Sequence, residues 1–128
     1  MKKILLIEPD RLLAETYRRA LETAGYKVSV CAGAQTAVLV ADKIQPQLVI
    51  AELQLVEHSG IEFLYEFRSY PEWQSIPVLI HTQVPISEFA DSWSIMHEQL
   101  NVAGYLYKPD TNLHKLIETV NQNLLVTA

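Results

Sequence analysis

The stretch Leu48-Val49-Ile50-Ala51-Glu52-Leu53-Gln54 runs apolar without alternation and then meets a carboxylate. A continuous apolar run suits a strand covered on both faces, because an open face would call for polar residues at every second position. That is the interior of a parallel sheet, and Glu52 falls where the strand leaves the core. Residues 4–7 and 78–80 are also short continuous runs, and residues 105–107 are a third apolar patch. In residues 28–31 the sequence Val28-Ser29-Val30 alternates instead, which places that strand at an edge.

The segments between these runs have helical spacing. Asp10 can cap a helix whose apolar residues Leu13, Tyr17, Ala20, Leu21 and Ala24 recur every three or four positions, with Gly25 as its stop. Residues 35–44 make a second helix, closed by Pro46. Ile61, Leu64, Tyr65 and Arg68 mark a third, followed by an irregular connection bounded by Pro71 and Pro77. Residues 87–100 read as a fourth helix through Phe89, Trp93, Met96 and Leu100. Leu113, Leu116, Ile117, Val120 and Leu124 mark a fifth, with Asn112 as its cap.

Strands alternating with helices in this way predict an α/β domain with helices on both faces of a five-stranded parallel sheet. In such a doubly wound (βα)5 fold, ligands meet the crevice at the carboxyl ends of the strands. The residues there are Glu8-Pro9-Asp10, Cys31-Ala32, Glu52-Leu53-Gln54, His81-Thr82-Gln83 and Lys108-Pro109. Polar residues at a strand end are commonly solvated rim groups. A carboxylate at Glu8, another at Glu52, a hydroxyl at Thr82 and an amine at Lys108 form a more complementary set than a solvated rim requires.

With 128 residues, 49% apolar and 20% charged, the chain is long enough for one globular domain without disulfide or metal staples. One domain over 1–128, with no output domain, is expected. The net charge of −5 argues against a nucleic-acid binder and against a polybasic membrane-surface helix, so neither nucleic acid nor membrane is expected as a partner. No apolar run approaches the ~18 residues of a bilayer span. The single cysteine, Cys31, has no disulfide partner and reads as a small buried apolar residue. A cytoplasmic setting is the default expectation. His58, His81, His97 and His114 lie in different elements without zinc-ligand spacing.

The stretches Lys3-Ile4-Leu5-Leu6-Ile7-Glu8, Pro46-Gln47-Leu48-Val49-Ile50-Ala51-Glu52-Leu53, Gly60, Ile76-Pro77-Val78-Leu79-Ile80-His81-Thr82 and Gly104-Tyr105-Leu106-Tyr107-Lys108-Pro109 make the sequence resemble a response-regulator receiver (CheY-like) domain of two-component signalling. The resemblance covers essentially the whole chain. It implies the flavodoxin-like strand order 2-1-3-4-5 and transfer of a phosphoryl group from a histidine kinase to an aspartate of the receiver. That chemistry takes a carboxylate nucleophile and a divalent ion, usually magnesium, to neutralise developing charge. By the resemblance, Glu52 stands at the phosphoacceptor position and Glu8 at the first acidic position. Thr82 and Lys108 hold the phosphoryl oxygens, and Tyr105 is the switch aromatic.

The departures are specific. The second acidic position is Pro9, which carries no ligand. The nucleophile position holds Glu52, whose carboxylate extends one methylene, about 1.5 Å, beyond that of Asp, and transfer chemistry is sensitive to misplacement of about 1 Å. Gln83 replaces a small residue and is expected to fill the phosphoryl space and to hydrogen-bond Glu52. Val56 replaces the usual loop proline. The metal set reduces to Glu8, Asp10, Glu52 and Gln54, with Asp10 already committed as a helix cap. No cofactor is expected, magnesium being the one ion that set would take if it took any.

The expectation is therefore a degenerate, phosphorylation-independent receiver in which Glu52 pairs with Lys108 and its fixed charge partly stands in for a phosphate. It would act through protein contacts with a kinase or a downstream output protein, with a homodimer possible through the face formed by the fourth helix, fifth strand and fifth helix. The alternative is a working magnesium-dependent phosphoacceptor, in effect a self-phosphorylating enzyme. A flavodoxin-like cofactor binder would need a Ser/Thr/Gly-rich cradle after the first strand, where Glu8-Pro9-Asp10 is acidic.

Overall fold

The computed structural model describes residues 1–55 and 59–126. Val56 and His58, both singled out in the sequence, lie outside the described residues. The strands are β1 Lys3–Ile7, β2 Lys27–Cys31, β3 Leu48–Ala51, β4 Val78–Thr82 and β5 Val102–Tyr107. They form one parallel sheet of order β2-β1-β3-β4-β5. The uninterrupted apolar runs occupy the three inner strands, and β3 and β4 are buried throughout. The alternating run is at the β2 edge, where burial is only partial: Cys31 joins one core layer, Val28 packs against the other, and Val30 is exposed.

The helices are α1 Arg11–Thr23, α2 Ala34–Ile44, α3 Gly60–Arg68 and α4 Leu113–Val126. Strand parity sorts the core into two layers. Leu5, Ile7, Val49 and Ala51 face α2 and α3 through Ala37, Ala41, Phe63 and Phe67. Ile4, Leu6, Leu48 and Ile50 face α1 and α4 through Tyr17, Leu21, Leu116 and Val120. Each fully buried Leu, Ile or Phe contributes roughly 1.5–3 kcal/mol of transfer free energy, so these layers are what hold the sheet and helices together.

The helix ends follow their sequence signals. Asp10 Oδ1 accepts from Leu13 N at 3.0 Å, and Gly25, at φ 101°, takes the left-handed turn that ends α1. Asn112 Oδ1 accepts from Lys115 N at 2.8 Å and caps α4.

The expected fourth helix is not a regular one. A 3₁₀ stretch, Ile86–Ser92, is kinked at Phe89 (φ −119°, ψ 18°), and a π-helical turn, Ile95–Gln99, follows it. Met96 and Leu100 are buried as the spacing predicts, but Phe89 and Trp93 only half. Ser87, Asp91 and Ser94 belong to residue types that compete for backbone hydrogen bonds inside a helix, and the apolar stripe is too sparsely buried to override them. Asn101 leaves the segment in the left-handed region at φ 51°.

Arg68 falls within the apolar spacing of α3 and is 8% exposed. Its guanidinium donates to the carbonyls of Leu100 (2.7 Å), Trp73 (2.5 Å) and Asn101 (3.0 Å), fastening α3 to the start of β5. Among the described residues, no helix is long and apolar enough to cross a membrane.

Candidate functional site

The sheet ladder continues one residue past the strands and sets the two carboxylates side by side. Glu8 N donates to Cys31 O at 2.9 Å and Glu52 N donates to Ile7 O at 3.0 Å. Glu8 and Glu52 are each 4% exposed. The Lys108 ammonium, arriving from the end of β5, donates to Glu8 Oε1 at 2.5 Å and to Glu52 Oε1 at 2.9 Å. One buried cation therefore serves two buried anions. The expected Glu52–Lys108 pair is present. The share that Glu8 takes in it was not legible in the sequence, because it depends on how far each long side chain reaches across the sheet.

The second oxygens are engaged as well. Asp10 N donates to Glu8 Oε2 at 3.1 Å, and Leu53 N and Gln54 N donate to Glu52 Oε2 at 2.6 and 3.2 Å. Burial pushes the Glu52 carboxyl up, but the Lys108 ammonium, the Thr82 hydroxyl and the Gln54 N–H outweigh it and hold its pKa below the usual value. Burial likewise disfavours the Lys108 ammonium, and its hydrogen bonds to Glu52 and Glu8 outweigh that, so its pKa lies above the lysine norm.

Thr82 is fully buried, and its hydroxyl accepts from Val84 N at 3.2 Å. Tyr105 Oη donates to Val84 O at 2.6 Å, and its ring meets Trp93 edge-on at 6.1 Å. The switch-aromatic position is thereby tied to the loop that follows Thr82. Burial, with Glu52 and Glu88 nearby, pushes the Tyr105 phenol up to about 12.

Gln83 departs from expectation. It is exposed, and among the described residues no hydrogen bond joins it to Glu52. Strand parity is the reason: Thr82 points into the site, so the next residue turns away from it. His81 is buried instead, edge-on to Tyr17 at 4.8 Å, and burial lowers its pKa to about 4, leaving it neutral near pH 7. His97 stacks on Trp93, His114 lies 3.5 Å from Glu118, and burial raises the Cys31 thiol to about 11.

Gly60 sets the floor of the loop after β3. A Cβ there would lie 2.5 Å from Glu52 O and 2.8 Å from Leu53 Cα, both backbone atoms that cannot swing aside. Gly60→Ala is expected to cost about 1–3 kcal/mol as overpacking. The β3–α3 loop would be displaced with it, measurable as a lower urea midpoint together with shifted amide resonances at residues 52–54.

Magnesium calls for several hard oxygen ligands in near-octahedral array. Here Pro9 supplies no side-chain ligand, Asp10 caps α1, and the Lys108 ammonium stands between the two carboxylates. Among the described residues, no group of three or more His, Cys, Asp or Glu side chains is arranged to hold a metal ion. The residues as placed do not fit the ion.

A sequence model described as the response regulator receiver domain matches residues 4–121. The chain is 31% identical over 80 residues to the KDP operon transcriptional regulatory protein KdpE of Escherichia coli K12; this is 62% of the chain and 34% of KdpE, so the match spans about a third of that relative's length. It is 26% identical over 123 residues to the polar-differentiation response regulator DivK of Brucella anthropi, covering 96% of each. The chemotaxis protein CheY4 of Vibrio cholerae superposes with a TM-score of 0.84 at 23% identity, over 95% of this chain and 98% of that one, a likeness of fold.

Proposed function

Because this chain belongs to the response regulator receiver family of two-component signalling, we propose that it is a degenerate receiver, phosphorylation-independent and signalling through protein–protein contacts. The observation that carries this reading is the Lys108 ammonium clasped between Glu8 and Glu52, all three side chains at most 8% exposed. In that arrangement the negative charge of Glu52 already satisfies the amine that would hold a phosphoryl oxygen. Glu carries a single charge, whereas a phosphorylated side chain brings about −1.5 to −2, so the imitation is partial. It biases the domain toward one fixed conformation rather than a switchable pair.

The roles assigned to Glu8, Thr82, Lys108 and Tyr105 are to hold that conformation and to pass it to the surface. The partner is a kinase or a downstream output protein. The surface that fits is the segment 86–99 with β5 and α4, where Phe89, Trp93, Tyr105 and Tyr107 are half-buried and Ile86, Ile95 and Leu113 are exposed. Apolar and aromatic residues of this kind favour interfaces, and a homodimer is one form such a contact takes. Met96, named with these aromatics in the sequence, is buried and belongs to the core.

Incubation with acetyl phosphate and magnesium, read by intact mass, tests the reading. No gain of a phosphoryl mass is expected in the wild-type chain. None is expected in Glu52→Asp either, since Pro9 still denies the ion a ligand. A donor-dependent gain in the wild type that disappears in Glu52→Gln would instead establish a working phosphoacceptor, the reading favoured by the intact Thr82, Lys108 and Tyr105 positions.

A further inference from the structure

At the amino ends of the strands, across the molecule from the Glu8–Glu52–Lys108 cluster, lies a hollow of about 200 Å³ lined by Lys3, Lys27, Ser29, Lys43 and Ile44. We propose that it is a binding site for a small free oxyanion of the phosphate type, inorganic phosphate or pyrophosphate in size. This inference is independent of the phosphorylation state of Glu52.

The charges are arranged by the fold. Lys3 and Lys27 are register partners on neighbouring parallel strands, so two cationic side chains leave the same face of the sheet from backbones about 4.8 Å apart. Directly opposed like charges destabilise a sheet unless something lies between them. Lys43, in the last turn of α2, closes the third side, and Ser29 follows Lys27 two residues on, on the same face. The hollow thus presents ammonium and hydroxyl donors on three sides.

Internal partners account for little of this charge. Lys3 Nζ donates to Ile44 O at 3.2 Å, which leaves its other N–H groups available. Among the described residues, the Lys27 and Lys43 ammoniums and the Ser29 hydroxyl engage in no ion pair or hydrogen bond, and Asp42, the acid next to Lys43 in the chain, forms no ion pair with them. In a chain with fifteen acids against ten bases, cations left without partners are surplus charge in one place.

Size sets the ligand class. At ~30 Å³ per water, the hollow holds roughly six or seven waters, enough for a phosphate or pyrophosphate. It is smaller than the ~300 Å³ lower bound of common small-molecule sites, which suits a small oxyanion better than a whole nucleotide.

The test is titration of the ¹⁵N-labelled chain with phosphate and with pyrophosphate, at ionic strength held constant with chloride. Saturable amide shifts are expected at residues 27–29 and 43–44, with the amides of residues 52–54 and 82–84 unmoved. Lys27→Gln with Lys43→Gln should keep the wild-type far-UV spectrum, because both residues are exposed, and should weaken binding at least tenfold. Three results would overturn the proposal: no saturable shift, an unchanged midpoint in the double variant, or shifts centred on residues 52–54 and 82–84.

Discussion

Lys108→Met is expected to lose about 3–5 kcal/mol of unfolding free energy near neutral pH, the range for removing one partner of a buried ion pair. A surface pair would be worth no more than about 1 kcal/mol, but these side chains are only 8%, 3% and 5% exposed. The loss arises less from the missing attraction than from what stays behind: two carboxylates held side by side by the β1–β3 ladder, each left without its cation. Methionine replaces the stem's apolar contacts, so packing contributes little to the difference.

The pH dependence separates this account from a simple packing defect. In the wild type the Glu52 pKa lies below its ordinary 4.5, so its contribution is present above that value and is lost as pH falls through the lowered one. The Lys108 pKa lies above its ordinary 10.5, so its contribution is full below that value and is lost as pH rises through the raised one. The cluster therefore stabilises the fold across the window between the two. In the variant the facing carboxylates gain by taking up a proton, so its stability rises as pH falls. The gap from wild type should narrow between about pH 7 and about pH 5. Urea denaturation at both pH values measures it, and an equal gap at the two would mean that charge is not the cause.

How much of this was legible in the sequence depended on whether a signal was local. The parallel sheet was legible because burial on both faces leaves an uninterrupted run, as in Leu48-Val49-Ile50-Ala51, and an edge leaves alternation, as in Val28-Ser29-Val30. The positions of Glu8, Glu52, Thr82 and Lys108 at one rim followed from strand direction alone. Gln83 misled because residue type suggested a hydrogen bond that strand parity forbids. The segment 86–99 misled because its spacing was helical while its residues could not bury a full stripe. The lysine hollow could not be anticipated, since the pairing of Lys3 with Lys27 is a matter of register between strands that are distant in sequence.

Arg68 is the case where the spacing located a residue correctly and concealed its role. Arg68→Met is expected to cost about 2–4 kcal/mol, and two opposing effects set the figure. Removing the guanidinium strands the carbonyl of Leu100 and takes a donor from those of Trp73, which keeps Ile76 N at 3.3 Å, and Asn101, at about 1–3 kcal/mol for an acceptor left buried without a partner. Against this, the charge is held at a cost, since burial lowers its pKa to about 10, and methionine recovers that desolvation. The carbonyls win because one side chain serves three of them, with Leu100 O left without a donor, and because Asn101 is already committed to a left-handed turn that its neighbours must hold. Arg68→Lys should recover only part of the loss, because a single ammonium cannot present the planar fork that reaches three acceptors. Hydrogen exchange gives the local readout: amides at residues 100–104 should lose protection in Arg68→Met while those of β1 and β3 follow only the global change. Uniform loss across the sheet would show that Arg68 contributes to the core as a whole rather than fastening α3 to the start of β5.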